Sequence, residues 1–272
     1  MSGAEASQFR SPDELLTLSL HEVTDHFGLD GIVNRLWYEI AEARFDGRPA
    51  FDRPGIIKID TAVEWTLFDH RGQLRDNGDQ YATHPLRVGA RLVGRYDIHD
   101  IDTLVAALLH DTIEDNPGGL LDIGAREPRH KLPDSFIGYP NDPELSGNQN
   151  EALALIAKSF GHRCATIVHA LTVPEFKGSD SLARPIHYRA HVLRALKSNP
   201  AARIVKLSDF TDNTHFLGGD RDGYLARKYL GVHPTMQRMA LDPTTPFTPE
   251  GRQRAVEDVD LAEQRCLEVL GS

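Results

Sequence analysis

Four ionisable side chains, His110, Asp111, Glu114 and Asp115, stand at the end of the apolar run LVAALL (104–109), just before Asn116-Pro117 closes the helix. The run is apolar on every side, which marks a helix at the centre of a core and delivers those four groups to the interior. Buried charges are strongly unfavourable unless partners compensate them, and a divalent cation is the strongest compensation available. Helix periodicity places Glu114 one turn beyond His110 and Asp115 one turn beyond Asp111. The adjacent His-Asp pair can therefore chelate one ion while the two acids reach past it.

Two further segments hold residues of the same kind. In Thr83-His84-Pro85 the histidine stands beside a proline suited to a helix's first turn. In KLSDFTDN (206–213), set among Ile204, Val205, Leu207 and Phe210, Asp209 and Asn213 are one turn apart and share a face. His84, His110, Asp111 and Asp209 make a mixed nitrogen and oxygen ligand set. It suits manganese, iron or another six-coordinate divalent ion that keeps positions for water and a substrate oxygen, and such a site performs hydrolysis. Similar residues elsewhere carry no such signal. His99-Asp100 lies in the polar turn YDIHDID, where Asp100 caps the next helix. HEVTDH (21–26) looks like a zinc-protease motif, but its histidines are five apart instead of four, which turns the second off the first one's face. His187, His191, His215 and His233 read as surface or supporting residues.

The elements that must position these groups are helical almost throughout, so the fold class is all-α. Hydrophobic spacing predicts helices at 12–27, opened by Ser11 as a cap, and at 32–44, joined by the turn GLDG. Further helices are expected near 61–71, 84–95, 100–115, 150–172, 185–198, 203–217, 221–240 and 248–270. The β-branched run Ile56–Ile59 reads as a short strand, leaving room for a small β-hairpin. Residues 116–149, crowded with Gly, Pro, Asn and Asp, read as a long irregular excursion placed to act as a lid. The expected division is an N-terminal extension over 1–60, a catalytic bundle over 61–240 and a C-terminal helix over 241–272 packed on it.

Composition bounds the function from outside. A chain of 272 residues with 40% hydrophobic and 26% charged residues is an ordinary globular protein. A net charge of -10 argues against nucleic acid or an anionic membrane as a partner. No apolar stretch approaches a membrane span and no leader is read at the N-terminus, so the expected compartment is the cytoplasm. Cys164 and Cys266 are expected as free core thiols.

The stretches HRGQLRDNGDQYATHPLRVGARLV, IDTLVAALLHDTIEDNP, SFGHRCATIVHALT and ARIVKLSDFTDN, in that order, resemble the hydrolase domain of the RelA/SpoT family, and especially its short stand-alone members. The resemblance covers about Thr61 to Leu217 and implies an HD-domain helical bundle. It implies manganese-dependent removal of the 3'-pyrophosphate from ppGpp or pppGpp, giving GDP or GTP. His84, His110, Asp111 and Asp209 would be the ligands, and Glu114 and Asp115 would orient the attacking water and assist proton transfer. Asn213 would contact substrate, and Arg75 would stack on the guanine through its planar guanidinium. Asp76 and His215 stand where members of the family often carry basic residues. That change keeps two other readings in view: a phosphohydrolase of another nucleotide, such as an adenosine alarmone or NADPH, and a nucleotide-binding module without turnover.

Overall fold

The computed structural model describes residues 12–45, 51–126, 139–174, 183–217 and 222–271, and over these the chain is all-α. Among the described residues the β structure is limited to one isolated antiparallel bridge, Leu74 to Gln80. At the centre lies α5 (Ile101–Leu109), in which every residue from Thr103 to Leu109 is buried. Four helices enclose it: α3 (Arg53–Asp69), α4 (Thr83–Gly94), α9 (His162–Leu171) and α11 (Pro200–His215). This is the arrangement required by a helix apolar on all sides. Asp100 caps α5 by accepting from the Thr103 amide, as the sequence predicts.

The outer elements close around this centre. Behind α1 (Pro12–Thr17), α2 (Leu20–Phe45) lies along α4, while α7 (Pro117–Arg126) packs against α8 (Gly147–Phe160) and α3. The short α6 (Thr112–Asp115) contacts α7 and α8, and α10 (Ala183–Ser198) rests on α9, α11 and α12 (Asp222–Leu241). The last helix, α13 (Pro249–Gly271), packs on α11 and α12. Both cysteines are buried and free, as expected.

Several expected boundaries move, each for a local reason. Ile56–Ile59 belongs to α3 and not to a strand: Asp52 caps the helix through the Gly55 amide, Pro54 occupies its first turn, and Ile59, Ala62, Val63 and Thr66 form one buried face. Tertiary burial at helical spacing overrides the β preference of three isoleucines. The two helices expected before residue 45 are joined into α2 across a kink at Gly28, whose φ of 61° replaces the predicted turn; Ser11, the expected cap, lies outside the described residues. Conversely, the helix expected over 150–172 is split at Gly161, where φ is 102°.

The irregular excursion expected over 116–149 is corrected at both ends, by α7 and by the start of α8, whose Ser146 and Gln149 form a reciprocal capping box; 127–138 lie outside the described residues. Gly119 signalled a turn, yet it serves close packing inside α7. A Cβ there would lie 2.2 Å from Asp69 Oδ1 and 2.4 Å from Asn116 Nδ2.

Candidate metal centre

The expected helix over 100–115 breaks between His110 and Asp111, giving α5 and α6. Three side chains take up the carbonyls that end α5. His110 Nδ1 donates to Ala107 O (2.8 Å), Thr66 Oγ1 to Leu108 O (2.7 Å) and Thr112 Oγ1 to Leu109 O (2.7 Å). Carbonyls at a helix end need such partners when they are buried. Because a carbonyl only accepts, the first of these bonds fixes the proton on His110 Nδ1. It leaves Nε2 buried and without a hydrogen-bond partner.

That nitrogen faces a cluster of ligand atoms. His84, in the first turn of α4, brings Nε2 within 3.5 Å of Asp111 Oδ2 and 3.2 Å of Asp209 Oδ1. His110 Nε2 lies 3.1 Å from Asp111 Oδ1 and 3.7 Å from Asp209 Oδ1. One atom each from His84, His110 and Asp111 falls within 4.8 Å of the others, which fits a divalent metal ion. Asp209, on α11, completes the four residues predicted to converge. Its Oδ2 also accepts from Lys206 Nζ (2.7 Å), and its Oδ1 from Asn213.

Electrostatics agrees with a place for a cation. Burial opposes charge on His110, but Asp111 and Asp209 outweigh it and push the imidazole up to about 9. Burial likewise opposes ionisation of Asp209, and Lys206 with the two histidines overcomes it and holds the carboxyl well below its ordinary range.

A second layer fixes His84. Its Nδ1 donates to Asp212 Oδ2 (2.7 Å), so Nε2 is the nitrogen turned toward Asp111 and Asp209. Asp212 is fully buried and also accepts from Arg87 Nε (3.0 Å) and from Arg91 (3.4 Å). Against the opposing effect of burial, these arginines and His84 keep Asp212 far below the usual carboxylate range. Sequence reasoning missed this layer, although His84, Arg87 and Arg91 recur at helical spacing in an otherwise apolar segment, and Asp212 lies one turn after Asp209.

Glu114 and Asp115 stand beside these groups on α6. Loss of water around it, reinforced by the charge of Asp111, pushes Glu114 up to about 7, while its Oε2 accepts from the Val173 amide (3.1 Å). The same two causes push Asp115 up to about 6. Carboxyls that titrate near neutrality are suited to accepting and returning a proton. Tyr81 OH donates to Asp111 Oδ2 (3.1 Å) and neighbours Asp115.

No family model matches the chain. Among known proteins, it is 46% identical over 177 residues to the bifunctional (p)ppGpp synthase/hydrolase SpoT of Escherichia coli, a match covering 63% of this chain and 20% of that protein. It is 56% identical over 68 residues to the bifunctional (p)ppGpp synthase/hydrolase RelA of Mycobacterium tuberculosis, covering 25% of this chain and 9% of the relative. Over the matched segment the chain is similar to RelA/SpoT proteins. It spans a fifth or less of the length of these relatives. A solved structure of a metazoan ortholog of SpoT superposes with a TM-score of 0.49 at 19% identity, over 75% of this chain and 94% of that one.

The remaining residues expected of a RelA/SpoT site also gather here. Arg75 sits in a tight loop between α3 and α4, closed by Arg75 N to Asp79 O (2.8 Å) and by Gly78 at φ 91°. Its guanidinium donates to Asn213 Oδ1 (2.8 Å) and lies 5.7 Å from the Tyr81 ring centre. Lys206 and Lys228 flank the Tyr188 ring, their Nζ atoms 5.4 and 4.4 Å from its centre. These two lysines, missed in the sequence, supply positive charge that Asp76 and His215 do not. His215 stacks on His21, ring centres 3.3 Å apart, and His191 and His233 are buried.

Proposed function

We propose that this chain hydrolyses the 3'-pyrophosphate of ppGpp and pppGpp, releasing GDP or GTP and pyrophosphate, with manganese as its divalent ion. The observation that carries the reading is the buried, unpartnered His110 Nε2 facing His84, Asp111 and Asp209 beside two carboxyls of raised pKa. The relatives named above are (p)ppGpp synthase/hydrolases, which supports that substrate class.

His84, His110, Asp111 and Asp209 would hold the ion. When bound, it would supply a more acidic water and polarise a phosphoryl oxygen. Glu114 accepts the water's proton in its ionised form, and Asp115, beside Tyr81, orients that water and shares the proton. Arg75, released from Asn213 or together with it, presents a flat guanidinium for a purine, and Asn213 offers its amide to the nucleotide. Lys228, held near Lys206 in surroundings that lower its pKa through burial, offers a charge to phosphate. Residues 61–240 would form the catalytic unit, with 1–60 as an N-terminal extension and linker and the helix in 241–272 packed on it.

Purified protein incubated with manganese and ppGpp, products resolved by anion exchange, tests the proposal. GDP and pyrophosphate are expected, with turnover abolished in Asp111→Ala. An adenosine alarmone and NADPH run in parallel: preference for either overturns the guanosine assignment, and metal binding without turnover of any of them overturns the enzymatic one.

A further inference from the structure

The motif set aside as a false zinc-protease signature leads to a second site. His21 is buried, its Nε2 lies 3.8 Å from Asp212 Oδ1, and its Nδ1 has no hydrogen-bond partner. Beside it opens a cavity of about 550 Å³ between α2, α4, α11 and α13, lined by none of the metal-centre residues. A volume of this size accommodates a small nucleotide or a diphosphate.

The charge of the lining is the unusual feature. Five arginines, Arg35, Arg91, Arg95, Arg254 and Arg265, face two acids, Glu39 and Asp258. Arg35 pairs with Glu39 (2.6 Å) and Arg95 with Asp258 Oδ1 (2.7 Å), while Asp258 Oδ2 is buried without a hydrogen-bond partner. Arg91 donates to the Ser208 carbonyl (3.1 Å), a neutral partner, and to Asp212 (3.4 Å), which also serves Arg87 and His84. Arg254 donates to the Arg95 carbonyl (3.2 Å), a neutral partner. Arg265 has no hydrogen bond or ion pair among the described residues; Asp258 and Glu268 act on it only at longer range, and Arg91 repels it. Cations therefore outnumber acids in this cavity, within a protein whose net charge is -10.

The stacked His21 and His215 rings, 3.3 Å apart and 3° from parallel, form one wall. Burial, together with the neighbouring arginines, keeps both imidazoles below their ordinary pKa, so both rings are neutral. Neutral imidazole offers one donor nitrogen. Unpaired guanidinium groups in a concave site are suited to phosphate oxygens, which they grip in bidentate fashion.

We propose that this cavity is a binding site for a small phosphate-bearing anion, gripped by Arg91, Arg254 and Arg265 and contacted by His21. The site is separate from the metal centre but linked to it: Arg91 donates to Asp212, and Asp212 fixes the metal-facing nitrogen of His84. An anion that draws Arg91 away from Asp212 alters the hydrogen bonding behind a metal ligand, giving the bound molecule a route to modulate activity. The inference rests on the cavity alone and stands whether or not ppGpp is the substrate.

Isothermal titration of inorganic pyrophosphate, and separately of GDP, into the full chain freed of divalent ions tests it. Two binding components are possible, and the one at the cavity is expected to weaken about tenfold or more in Arg265→Gln and in Arg254→Gln and to survive in Lys228→Gln, which weakens only binding at the metal centre. Tighter binding of GDP than of pyrophosphate would identify the ligand as a nucleotide, and the reverse as a free anion. Both arginines are at least partly exposed, and circular dichroism of each variant checks the fold. Two results overturn the proposal: no binding at millimolar concentration of either compound, or binding lost in Lys228→Gln and retained in both arginine variants.

Discussion

Helix α11 faces two charged regions of opposite sign, with Asp212 between them. On the side of the candidate metal centre, Asp111, Asp209, Glu114 and Asp115 outnumber the nearby Lys206 and Lys228, and the pKa values of His110, Glu114 and Asp115 are raised. On the other side, Arg91, Arg254 and Arg265 exceed the acids available to them. A surplus of acid accommodates a cation, and a surplus of guanidinium accommodates an anion. Asp212, satisfied from both directions by His84, Arg87 and Arg91, keeps the two surpluses from cancelling.

The contrast breaks most visibly at Glu114. Glu114→Gln keeps the shape but removes the proton acceptor, so kcat is expected to fall about 10²–10⁴-fold with manganese affinity nearly unchanged. Equal loss of metal binding would reassign Glu114 to the ligands. Its carboxyl is raised to about 7, and only the ionised form accepts a proton, so wild-type kcat/KM should rise with pH. A bound cation favours ionisation, which places the midpoint of that rise at or below about 7. A pH-rate profile falling over the same range would contradict the role.

The divide itself is tested at Asp212. Asp212→Asn retains hydrogen bonding but loses the charge that sets the His84 tautomer, and manganese affinity should weaken about 10–100-fold by titration calorimetry. Unchanged affinity would mean that His84 is oriented by packing alone. A smaller effect, on stability, is expected at Asp69, which is buried with neither carboxyl oxygen hydrogen-bonded. Burial and then the charge of Asp115 push it up to about 8. Since the folded state holds the proton more tightly than the unfolded chain, stability from this group is present below about pH 4 and lost as pH rises through about 8. Asp69→Asn should therefore stabilise the protein by about 2–4 kcal/mol at pH 7, the gain shrinking toward pH 4 in urea melts. A gain independent of pH would locate the effect in packing.

Much of the metal centre was legible because its chemistry follows from local facts. An apolar run that ends in His110-Asp111 fixes burial and ligand type, and helical spacing aligns Asp209 with Asn213. The layer behind it was not, because Arg87, Arg91 and Asp212 become a network only when α4 and α11 pack side by side. The same limit hid the second cavity: His21 and Arg265 are 244 positions apart in the chain, and no periodicity joins them. Helix content was readable from spacing, whereas the breaks at His110-Asp111 and Gly161 depend on side-chain capping and on a single positive φ.

The central claim is that His84, His110, Asp111 and Asp209 hold one divalent ion, and titration of manganese into chelator-treated protein tests it most directly. One site per chain is expected, lost in His110→Ala and Asp111→Ala and retained in Glu114→Gln. Binding that survives both ligand substitutions, or no binding to the wild-type chain at millimolar manganese, would contradict the account.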